Sequence, residues 1–126
     1  MTKQTLRVLA PTFAIHSLPA DASIPSTVFK SSIYFIGKTA EEVSVVVPEN
    51  VVLDSEDVDT NWKALEVVGP LDLTLTGILA NISTVLADAN ISIFAISTFD
   101  TDYILVKENN VPHAKEALTA NDYHVI

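Results

Sequence analysis

The sequence predicts an α+β protein in which antiparallel sheets carry helices on one face, and three observations lead there. Residues 62–126 read in the order β, α, β, β, α, β from apolar periodicity and chain breakers alone, the order of a split βαβ sandwich. The stretch from Ile91 to Lys107, ISIFAISTFDTDYILVK, consists of two β-rich runs joined by a short polar hinge. Residues 6–47 repeat parts of the same pattern less clearly. The expected organisation is therefore a degenerate first unit, 1–61, packed rigidly beside a regular second unit, 62–126, with no linker composition between them.

In the first half, Leu6 to Ile15 reads as a strand, because β-branched alternation broken by Pro11 and His16 does not suit a signal peptide. Ser23 to Ser32 has room for a short helix started by Pro25, and Ile33 to Gly37 and Glu42 to Val47 read as strands. Pro48 to Asn61 is acidic and weakly helical in pattern, and its run Asp54 to Asp59 suits a solvated face. In the second half, Trp62 to Val68 is a strand that Gly69-Pro70 breaks. From Gly77 to Asn90, Ile78, Leu79, Ile82, Val85, Leu86 and Ala89 share one helical face, and Asn90 suits the left-handed end of that helix. After the hairpin, Asn110 can cap a helix with Pro112 in its first turn and Ala114, Ala117 and Leu118 as its stripe, and Tyr123 to Ile126 closes as a strand.

Composition bounds the function. With 126 residues, 48% of them hydrophobic and 18% charged, the chain can bury one substantial core and is not of disordered type. A mean hydropathy of +0.35 and open sheet edges favour a homodimer. The absence of cysteine removes disulfides and thiolate metal sites. A net charge of −9 opposes nucleic-acid binding, and solubility is its simplest explanation. No segment approaches a membrane span, so neither membrane nor nucleic acid is an expected partner, and a cytoplasmic location follows by default.

From Trp62 onward, with FAISTFDTDYILVKE as the most specific segment, the chain resembles the ACT domain family, small ferredoxin-like modules that bind amino acids and regulate metabolic enzymes. Within it, the IST-aromatic-x-TD tip set between two strands is similar to the subgroup of small two-ACT proteins and CASTOR-type arginine sensors. The resemblance implies tandem βαββαβ units joined side by side, the first degenerate.

Two candidate binding regions emerge. A helix starting near Gly77 presents free N–H groups and a positive dipole end, which suit a carboxylate. The resemblance assigns the ligand-facing positions there to Asp72, Leu73, Thr74, Gly77 and Ile78. The plainer reading makes Gly69-Pro70 a turn and Thr74 or Thr76 a helix cap. At the hairpin, Ser97, Thr98, Asp100, Thr101 and Asp102 place hydroxyls and carboxylates where a sheet ends, and Asp100 or Asp102 can accept from an ammonium or guanidinium. Here the resemblance points to Ser97, Thr98, Phe99 and Asp102, with Asp100 at a variable place; the plainer reading is an ordinary hairpin connection.

The remaining landmarks have ordinary readings. His16, His113 and His124 lack ligand spacing, so no metal and no cofactor is expected. Trp62, Phe94, Phe99 and Tyr103 read as core or interface aromatics, with the shielding of a ligand's aliphatic stem as the alternative for Phe99 at the tip. No nucleophile elbow, phosphate-binding glycine loop or acid–base pair is present in a chain of three glycines, so an enzyme is not expected. The function implied is an amino-acid sensor, with arginine or lysine as natural guests held at a module interface between the strand–helix loop and the hairpin tip. Occupancy would act by shifting a conformational population. The alternative is a non-catalytic dimerisation or interaction module whose pocket is vestigial.

Overall fold

The structure, a computed structural model, describes residues 3–68 and 76–126. The chain forms two compact units: one combines the chain up to Ala10 with everything from Lys63 onward, and the other is the intervening Pro11–Trp62. The break in the middle of the chain falls between Trp62 and Lys63, and the first ten residues group with the C-terminal unit. The physical reason is the first strand. β1 runs for 15 residues, Thr5–Pro19, four residues beyond the expected Ile15, and its two halves are used in different units. β4, Asp57–Val67, is shared in the same way.

In the discontinuous unit the elements are the first half of β1, the second half of β4, α2 (Ile78–Asp88), β5 (Phe94–Ser97), β6 (Asp102–Lys107), α3 (Val111–Ala120) and β7 (His124–Val125), labelled in chain order with the α1, β2 and β3 of the other unit. The strands lie in the order β7, β1, β4, β6, β5. β7 is parallel to β1, with Leu6 opposite Val125, and β5 is antiparallel to β6, with Ser97 opposite Asp102. One face presents Leu6, Leu65, Val67, Ile104 and Val106, and against it pack Ile82 and Leu86 of α2 and Ala114 and Leu118 of α3. Residues two apart on each strand share a face, which is how alternating apolar positions build one side of this core.

The helices form much as their patterns require. α2 ends where Asn90 takes φ 61°, with Ile91 N donating to Leu86 O over 2.9 Å. The left-handed residue lets the chain reverse while satisfying a terminal carbonyl. Ile91 and Ile93, expected in a strand, instead lie in the connection after α2, Ile91 buried in the core; β5 starts only at Phe94. Pro112 sits in the first turn of α3, but Asn110, which occupies the cap position, makes no side-chain cap bond. A 3₁₀ turn, Glu108–Asn110, precedes that helix instead.

In the Pro11–Trp62 unit, β2 (Phe35–Lys38), β3 (Glu42–Pro48) and the second half of β1 form an antiparallel ladder, with Ile15 opposite Val46 and Phe35 opposite Val46 on the other side. A single helical turn, α1 (Ser26–Phe29), follows Pro25 and delivers Val28 into a core with Leu18, Val43, Val45 and Val47. The weakly helical expectation for 48–61 is corrected: Asp57 onward enters β4, and Glu56 N donates to Ser17 O of β1 over 3.0 Å. The first five residues of β4 are all exposed, so the sequence carried no apolar alternation to reveal a strand.

Candidate functional site

The hairpin loop is built from its own polar groups. The Ser97 hydroxyl donates to Asp102 Oδ1 over 2.6 Å across the last β5–β6 pair. Thr98 N donates to Thr101 O over 2.8 Å, and the Thr98 hydroxyl bonds Thr101 O and accepts from Thr101 N, both at 3.2 Å. These bonds leave Phe99 and Asp100 at the tip. Phe99 is 80% exposed, which corrects the core half of its reading as a core or interface aromatic. Asp100 is exposed and Asp102 half-buried. The Thr101 hydroxyl leaves the loop and donates to Val67 O at the end of β4.

At the other region, Gly77 caps α2 with φ 80° and no side-chain cap bond, so Thr76 does not fill the capping role. Asn81 N donates to Gly77 O over 2.9 Å. Ile78 opens the helix half-buried, packed against the core. Asp72, Leu73 and Thr74, and the turn expected at Gly69-Pro70, lie outside the described residues.

Beside the tip, a polar row crosses three neighbouring strands on the face opposite the helices. Arg7 of β1 donates to Glu66 Oε1 over 3.3 Å, and the Tyr103 hydroxyl of β6 donates to Glu66 Oε2 over 3.0 Å. Burial, then the bond to Glu66 and its charge, then the charge of Asp100 push the Tyr103 phenol above its ordinary value. Tyr103 therefore stays a hydroxyl donor at neutral pH, and the electrostatic effect of Asp100 reaches it. Sequence reasoning singled out neither Glu66 nor the partner of Thr101, because each contact joins residues more than 30 positions apart and leaves no local spacing.

The Pro11–Trp62 unit holds a separate open cleft of about 350 Å³ lined by Ile15, His16, Ser17, Ser44, Asp57, Val58 and Asp59. His16 is 7% exposed, with Nδ1 2.8 Å from Ser55 Oγ, and burial lowers its affinity for a proton. Asp59 accepts from Trp62 Nε1 over 3.2 Å. Among the described residues, no group of His, Asp and Glu side chains is arranged to hold a metal. No helix among them is long and apolar enough to cross a membrane.

Comparison with known proteins places this geometry. Residues 57–120 match the ACT domain family. The human protein CASTOR3P is 31% identical over 100 residues, covering 69% of this chain and 61% of its own length. The human cytosolic arginine sensor for mTORC1 subunit 1 is 32% identical over 130 residues, covering 91% of this chain and 39% of its own length. The chain thus spans less than two thirds of either human relative. Among solved structures, protein Atu0741 of Agobacterium tumefaciens superposes with a TM-score of 0.89 at 27% identity, covering 100% of this chain and 94% of that one. The regulatory subunit of aspartate kinase from Thermus thermophilus, in its ligand-free form, gives a TM-score of 0.68 at 10% identity, covering 95% and 98%, a likeness of fold alone. The match over residues 57–120, half of the sequence, together with the one-sided packing of α2 and α3 on an antiparallel β5–β6 hairpin, establishes that the chain belongs to the ACT domain family.

Proposed function

We propose that this chain is a non-catalytic regulatory module that binds a free amino acid, with arginine or lysine as the favoured guest, in its Lys63–Ile126 portion. The observation that carries the reading is the hairpin tip: Asp100 is exposed in the loop and Asp102 opens β6 two residues on, and among the described residues no basic side chain forms an ion pair with either. A guanidinium or ammonium supplies the missing cation, while the start of α2 at Gly77, with Ile78 and the positions Asp72, Leu73 and Thr74 that the family resemblance assigns, receives the carboxylate. Ser97 and Thr98 line the tip, and the exposed Phe99 covers the aliphatic stem. The arginine-sensor name of one human relative and the regulatory-subunit name of a structural relative support the amino-acid class and the regulatory role. The cytosolic setting in that relative's name supports a cytoplasmic location. Ligand binding would favour the arrangement in which both regions are engaged, and a homodimer is the assembly in which we expect that shift to be transmitted.

A thermal-shift screen of the twenty amino acids, followed by calorimetry, tests the reading. Selective stabilisation by arginine or lysine is expected; at a hundredfold excess over Kd it amounts to about 2.7 kcal/mol, a shift of several degrees. A flat profile at millimolar concentration would sink it. One observation favours the second reading, an interaction module with a vestigial pocket: the Ser97 hydroxyl already occupies Asp102 Oδ1, and the Thr98 hydroxyl is already engaged with the Thr101 backbone. Under that reading Asp102→Ala and Gly77→Trp leave every ligand response and dimerisation unchanged.

A further inference from the structure

Thr101 sits between the Phe99–Asp100 tip and the first residue of β6, half-buried in an otherwise exposed loop. Threonine in such a place commonly spends its hydroxyl on its own turn. Here the local bonds are made instead by Thr98, and the Thr101 hydroxyl donates to Val67 O, 34 residues away in sequence. Val67 is the last residue of β4, one residue before Val68 leads into the connection to Gly77 and α2. The bond therefore ties the hairpin loop to the end of β4, where Val67 packs in the same core as Ile82 and Leu86 of α2. Because Thr98 is fastened to the backbone of Thr101 through three bonds, the position of Thr101 carries Thr98 and the tip with it.

We propose that Thr101 is a positioning residue for the amino-acid site: its hydroxyl holds the hairpin acceptors at a set distance from the start of α2 without itself touching the guest. This role rests on the amino-acid reading above. A site that recognises both ends of one small molecule depends on the separation of its two halves, and a loop free to swing loses affinity even when every contacting group is intact.

The experiment compares L-arginine binding by calorimetry for the wild type, Thr101→Val and Thr101→Ser, with amide hydrogen exchange on the unliganded proteins. Valine keeps the branched shape and removes the donor, whereas serine keeps the donor. The expected result is a Kd about tenfold weaker for the valine variant and within about threefold of wild type for serine. Exchange at Thr98–Thr101 should quicken in the valine variant while Ile82 and Leu86 in the helix core stay protected. A wild type that binds L-arginine, with a valine variant of equal affinity, overturns the positioning role and leaves the amino-acid reading standing. No L-arginine binding by the wild type overturns the arginine reading and this role together. Should the valine variant fail to fold, Thr101→Ala against Thr101→Ser is read by the same criteria.

Discussion

Four residues show how single positions carry the fold. Gly77, Asn61, Asn90 and Asp122 all have positive φ, between 61° and 80°. At Gly77 an added Cβ meets only Asn81 Nδ2, at 3.8 Å, so the cost of a side chain there is conformational and not steric. Gly77→Ala is therefore expected to lower stability by about 1 kcal/mol in denaturant melts. Asn61 is left-handed within β4, where the exposed first half passes to the buried second half, and Asn61→Ala should cost a similar amount while Asn61→Gly costs little. His16 gives a pH test. Burial lowers its folded pKa below the ordinary 6.5, so between the two values the unfolded chain binds more protons and stability rises with pH. The contribution is complete above pH 6.5 and falls away as pH drops toward the folded pKa; thermal melts from pH 8 to pH 5 should show this, and His16→Gln should flatten it. Asn90 was legible as a left-handed helix end because it follows an apolar stripe; Asn61 was not, since nothing local marks a kink inside a strand.

Among the elements, α2 was the most legible because burial and periodicity agree. Ile82 and Leu86 are fully buried and the flanking Ile78, Leu79, Val85 and Ala89 pack around them. Leu86→Ala should cost about 2–5 kcal/mol, measured by chemical denaturation, and should leave the isolated hairpin chemistry untouched. The β5–β6 hairpin was read correctly as two strands and a polar tip, although β5 starts three residues later than its apolar run suggests. Ile91 is apolar because the end of α2 packs it into the core, not because it pairs with a strand. The first half of β4 was missed for the opposite reason. Five exposed residues in an acidic stretch offer no hydrophobic period, and their strand conformation comes from pairing with β1.

At the scale of the whole molecule, the shared strands have a consequence for folding. Leu6 and Val8 lie in the core built largely from residues beyond Lys63, and β1 stands between β7 and β4 there. A fragment of residues 62–126 should therefore lack a cooperative melt by circular dichroism, whereas the full chain melts as expected of a packed domain; an equally stable fragment would contradict this dependence. β5 lies at the end of the strand order. The homodimer proposed above predicts twice the 13.6 kDa chain mass in sedimentation equilibrium, and a monomer mass would overturn it.

The sequence by itself determined the α+β class, the βαββαβ order after Trp62, the helical faces and the polar hairpin tip, because each is written in local periodicity or in breakers such as Asn90 and Pro112. Tertiary structure alone decided the rest: that the first ten residues complete the C-terminal unit, that Asp57 to Asn61 are strand, and that the Thr101 hydroxyl reaches Val67 and Tyr103 reaches Glu66. Those features depend on which distant segments lie side by side. Hydrogen bonds between strands carry no residue code of their own, so their partners become visible only when the sheet has formed.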